Sequence, residues 1–145
     1  MSYLRYALVF LAVALGAAWA IRLLEAQFDT ALGSAAHLMV PAMIGALVEG
    51  QQHARTQKAK PGTAAAWRFT WIATAIAVVL NVALAYGAGR FAPEFGKLAV
   101  APVGSRQFGL LLALYAGGYL ICNRVFLGIG AGNQLSLMRS RGEIE

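Results

Sequence analysis

The stretch FTWIATAIAVVLNVALAYGAG, Phe69 to Gly89, runs 21 residues without a charge between Arg68 and Arg90. A helix rises about 1.5 Å per residue, so about 20 residues cross a hydrocarbon core of roughly 30 Å. The stretch meets that length outright. Inside lipid each segment must satisfy its own backbone hydrogen bonds, which selects a helix over an isolated strand.

Three further uncharged runs lie on either side of it. Gln107 to Asn123 sits between Arg106 and Arg124, Thr30 to Val48 between Asp29 and Glu49, and Tyr6 to Ile21 between Arg5 and Arg22. These are shorter, and they reach across if the flanking arginines keep their stems in lipid and their heads in the interface. No alternating barrel pattern is present. The sequence therefore predicts an all-α protein, a four-helix transmembrane bundle forming a single membrane domain over 1–145. Its helices are expected near 4–24, 30–50, 66–89 and 106–127, each antiparallel to its neighbours. The first run, with Arg5 ahead of it and Ala-Trp-Ala at its end, has the look of a signal peptide. Cleavage would leave three spans with a weaker charge balance, so it is read as a retained helix.

Composition agrees. Of 145 residues, 59% are hydrophobic and only 12% charged, with a mean hydropathy of +0.63. Soluble domains carry about a quarter charged residues. The net charge of +6 does not mark a nucleic-acid partner, because the basic residues fall between apolar runs and not along one face. They act as orientation signals. Arg5, Arg55, Lys58, Lys60, Arg68, Arg124, Arg139 and Arg141 fall on one side, and Arg22, Arg90, Lys97 and Arg106 on the other. That bias places both termini in the cytoplasm, with a basic cytoplasmic loop at 51–65, a non-cytoplasmic loop at 91–105 and a short interfacial tail at 134–145. Trp67, Trp71, Tyr3 and Tyr6 stand near the expected helix ends, where amphipathic rings favour the headgroup zone. The single cysteine, Cys122, excludes an intramolecular disulfide and a cysteine-based zinc cluster.

A few polar groups lie at unusual depths. His37 and Pro41 share the second run, and the proline should free the His37 carbonyl and kink the helix. Glu49 and His53 stand at i and i+4, a spacing that can present two metal ligands on one face. A site normally needs three or four, so the reading is a solvated helix end with a salt bridge or hydrogen bond. Ala73, Ala77, Asn81, Ala85 and Gly89 fall four apart, a stripe of small residues with one amide, as at a helix-packing seam. Ala12, Gly16 and Ala20 make a second such stripe. Asn123 and Arg124 close the fourth run. The run Gly128 to Asn133 resembles a helix stop before the tail, and it lacks the Lys-Ser/Thr ending of a phosphate loop.

Glu49-Gly50, the basic loop with Lys60-Pro61, and Asn123-Arg124-Val125-Phe126 followed by Gly132-Asn133-Gln134 resemble a family of small four-helix bacterial membrane proteins of unknown function. The resemblance implies a four-helix fold and a multi-pass location in the bacterial inner (cytoplasmic) membrane, and no activity.

No acidic residue lies mid-membrane and no catalytic grouping is evident. The expectation is a non-enzymatic protein without cofactor or metal, structural or accessory in a membrane assembly. Its partners would be the lipid bilayer and either its own copies or another membrane protein. The alternative is an oligomeric transporter or channel whose polar path runs by His37, Asn81 and Arg124.

Overall fold

The computed structural model describes residues 1–28, 38–88 and 100–144. Their secondary structure is helical, without strands: α1 (Tyr3–Phe28), α2 (Val40–Gln57), α3 (Thr63–Gly87) and α4 (Arg106–Ser140). Three helices are long and apolar enough to cross a membrane, namely α1, α3 and α4. The described part of α2 has 18 residues, among them Glu49, Gln51, Gln52, His53 and Arg55, and is not one of these three.

The start of α1 meets the start of α3 and the middles of α2 and α4. Tyr3 stacks on Phe69 with ring centroids 6.1 Å apart, and Tyr6 meets the same ring edge-on at 5.7 Å. At the other end Tyr86 of α3 lies 6.5 Å from Phe108 of α4. Thus α1 and α3 run one way, and α2 and α4 the other. On α1 the buried row is Tyr6, Phe10, Ala14 and Ala18, spaced by four. On α3 it is Ala73, Ala77, Asn81 and Ala85. The outward faces are apolar, with Leu4, Leu15, Trp19, Val79 and Leu114 exposed, as suits side chains that meet lipid.

The broadest interface joins α2 to α4. Ala42, Ala46, Gly50 and Ala54 form its row on α2, all buried. A side chain on Gly50 would strike the Leu127 carbonyl, and one on Gly130 would strike the Leu47 carbonyl. Each glycine thus lets the opposite backbone into contact, which only small residues permit.

Several boundaries differ from the sequence reading. Positions 51–57 are the last turns of α2 and not a loop, because Ala54 packs on α4 beside Ala131 and Leu135. The helix stops at Lys58, left-handed at φ 51°, shortly before Pro61. Pro41 sits in the first turn of the described part of α2, where its missing N–H costs nothing, and the kink expected from it turns on His37, outside the described residues. The expected stop at Gly128 to Asn133 is absent, and α4 continues for 35 residues, about 52 Å. Its Gly130 serves the contact with α2. The stop comes at Gly142, φ 71°, whose N–H donates to the Arg139 carbonyl while the Glu143 N–H donates to that of Met138. That is the Schellman pattern of a left-handed C-terminal glycine. Residues 134–140 are therefore helix, and Leu135 and Met138 are core, where an interfacial tail was expected. The stripe Ala12, Gly16 and Ala20 faces outward, with open space before Gly16. The aromatic rings of Tyr6 and Phe10 fix the buried face of α1 two positions away from that stripe.

Candidate functional site

Residues 38–57 hold one carboxylate, and it is wholly buried. Glu49 has no exposed surface. Taking a carboxylate out of water costs several kcal/mol, roughly, unless it is paired and hydrogen-bonded. Here Arg5 Nε donates to Oε1 at 2.6 Å and Arg5 Nη2 to Oε2 at 2.9 Å, the two-pronged geometry that suits a guanidinium. The Ser2 backbone N–H also donates to Oε2, at 2.8 Å.

Ser2 is the residue ahead of α1, and its hydroxyl accepts weakly from the Arg5 N–H at 3.4 Å. In an ordinary capping box the acid that returns to the cap N–H stands three residues on. That place is held by Arg5, and the acid comes from α2. Glu49 also lies at the positive end of the α1 dipole. It is therefore not the solvated helix end expected from the sequence, and its salt bridge is made with Arg5.

A second layer begins at the next residue of α1. Tyr6 Oη donates to Asn123 Oδ1 at 2.8 Å, and Asn123 Nδ2 donates to Thr74 Oγ1 at 3.2 Å. This chain links α1, α4 and α3 through three buried side chains. A separate bond runs from Asn81 Nδ2 to Tyr119 Oη at 2.8 Å, tying α3 to α4. Beside it is a cavity of about 10 Å³ lined in part by Phe10, Ala14, Leu38, Pro41, Asn81 and Tyr119, the space of about one water. Arg124 lies over the Trp67 ring, 5.5 Å from its centre, a cation–π contact that anchors the guanidinium near the start of α3.

Of the residues singled out from sequence, Asn123, Asn81 and Arg124 each make a contact between helices, but at three different places. Glu49 forms the centre described above. His53 lies one turn beyond it in an open cleft, and burial holds its imidazole below the ordinary 6.5. His37 and Gly89 lie outside the described residues. Among the described residues no three His, Cys, Asp or Glu side chains gather as a metal site would need.

Ser2, Thr74 and Tyr119 are the participants that sequence reasoning did not single out; Arg5, Gly50 and Gly130 were read in other roles, and Tyr6, expected in the headgroup zone, is instead fully buried and bonded to Asn123. One signal was available. Ala42, Ala46, Gly50 and Ala54 repeat every four residues like the stripe on α3, which extends a packed helix past residue 51. Comparison of the chain with protein-family models, with curated proteins and with solved structures finds no match in any of the three.

Proposed function

We propose that this chain is a non-enzymatic integral membrane protein with a structural or accessory role in a membrane assembly. It would sit in a bacterial cytoplasmic membrane, with the Arg5 end of the bundle toward the cytoplasm. The observation that carries this reading is the fate of the polar groups within the bundle. Glu49, Asn123, Thr74 and Asn81 are each engaged in a bond to another helix. Polar groups spent in this way fix helix register. A translocation path needs groups left available to a passing solute, and the cavity beside Asn81 holds about one water. Apolar outward faces with residues such as Trp19 and Leu114 leave ample surface for a second membrane protein or a further copy.

The test is the mass of the native complex extracted with its surrounding lipid, together with solute flux in proteoliposomes. A heteromeric complex and no flux above empty vesicles support the reading. A homo-oligomer with flux that Asn81→Leu abolishes, at unchanged folded yield, would replace it with the transporter.

A further inference from the structure

The first residues of α1, the end of α2 and the start of α3 enclose a cleft of about 220 Å³ lined by Met1, Tyr3, His53, Ala65 and Arg68. We propose that this cleft binds a phosphate group, carried by an anionic lipid headgroup or present as free phosphate.

The lining carries a guanidinium, an imidazole and a phenol, and no carboxylate. Arg68 has no ion pair or hydrogen bond among the described residues, so its donors are available. The nearby acid cannot neutralise it. Glu49 stands one turn before His53, fully buried, with both oxygens bound by Arg5 and Ser2. The cleft wall is set in place because the Tyr3 ring is stacked on Phe69. A planar guanidinium fork matches phosphate oxygens two at a time, which an ammonium cannot do.

Depth points to a lipid source. Trp67 and Trp71, on either side of Arg68, are both exposed at 41% and 61%. Exposed tryptophans of this kind occupy the headgroup level. Arg55, Lys58 and Lys60 follow just beyond on the same end. Basic pockets between helices at that level suit anionic headgroups. The inference does not rest on the proposed scaffold role, since binding is read on the chain alone.

The experiment is native mass spectrometry of the full chain in detergent. It is offered equal amounts of phosphatidylglycerol and phosphatidylcholine, with and without millimolar inorganic phosphate. Wild type should retain the anionic lipid in preference. Loss of a charge-assisted pair in Arg68→Gln should lower that preference about tenfold. Arg68→Lys, which keeps the charge without the fork, should fall between. Arg106→Gln, at the opposite end of the bundle, should match wild type. Retention of the lipid in the presence of phosphate assigns the site to a headgroup. Displacement of the lipid by phosphate that stays bound to wild type, but not to Arg68→Gln, assigns it to free phosphate. Equal retention by wild type and both Arg68 variants, or no preference and no bound phosphate in wild type, overturns the proposal.

Discussion

The carboxylate of Glu49 closes the N-terminus of α1 from a different helix, holding Arg5 by two hydrogen bonds and the Ser2 N–H by a third. A cap supplied within one helix would stabilise that helix alone. This one forms only when α1 and α2 are packed, so it couples a local helix signal to tertiary structure. Buried pairs are asymmetric: removing one partner is far worse than replacing both.

Arg5→Leu should therefore destabilise the fold by on the order of 3 kcal/mol, because it strands a buried carboxylate. The double variant Arg5→Leu/Glu49→Leu should recover much of that loss. Denaturant titration in micelles measures both. An Arg5→Leu protein as stable as wild type would show that the pair does not hold the helix ends together.

The glycines of α4 should respond unequally to the same added methyl. At Gly130 it meets the Leu47 backbone, which cannot step aside, so Gly130→Ala should cost about 1–3 kcal/mol. At Gly118 the obstacle is the flexible end of Met39, 2.9 Å away, which can swing clear. Gly118→Ala should leave the melting temperature nearly unchanged. Equal effects at the two sites would mean that α2 and α4 do not touch through their backbones.

This pair of glycines also marks where the sequence was legible and where it was not. Spans α1, α3 and α4 could be read because length and apolarity are local properties, and so could the stripe Ala73, Ala77, Asn81 and Ala85. Gly130 could not. A glycine within a Gly-rich run is equally a helix stop or a contact point, and only the facing Leu47 decides. Gly142 was the real stop, identified by two carbonyls it helps to satisfy. Glu49 misled for a similar reason. Nothing local tells that an acid at the end of an apolar run will be sealed by an arginine 44 positions earlier. The stripe on α1 failed because Tyr6 and Phe10, not the small residues, face the core.

Tyr6 and Asn123 should be energetically coupled. A double-mutant cycle with Tyr6→Phe and Asn123→Leu isolates the hydrogen bond between α1 and α4, since each change removes a partner without opening a large void. Interhelical bonds of this type in lipid measure about 0.6 kcal/mol on average and up to about 1.7. The expected coupling is in that range, and a value near zero would show that the two side chains contribute independently.

His53 supplies a pH dependence. Burial disfavours its charged form in the folded chain. Below its ordinary 6.5 the unfolded chain therefore binds more protons at this site than the folded chain does, and acidification shifts the balance toward unfolding. Melting temperature in detergent should fall as pH drops from 6.5 toward the depressed folded value, and His53→Gln should fall less over that window. The effect is small because the ring is partly exposed. An identical acid profile for variant and wild type would remove His53 as its cause.

The proposed orientation of the bundle rests on joining geometry to charge. Four contacts gather the start of α1, the start of α3 and the middles of α2 and α4 at one end: Arg5 with Glu49, Tyr3 with Phe69, Tyr6 with Asn123, and Arg124 with Trp67. This grouping holds whether or not α2 crosses the whole bilayer, because α2 returns to the end from which α1 departs. The same end carries Arg5, Arg55, Lys58, Lys60, Arg68 and Arg124, against Arg106 and Arg22 toward the other. Positive charge in short loops is retained in the cytoplasm. A phosphatase that works only outside the cytoplasm should therefore be inactive when fused after Ser140 and active when inserted at Gly104, ahead of α4. The opposite pattern would invert the protein in the membrane while leaving the helix arrangement intact. Activity at both sites, or at neither, would instead contradict the passage of α4 from one face to the other.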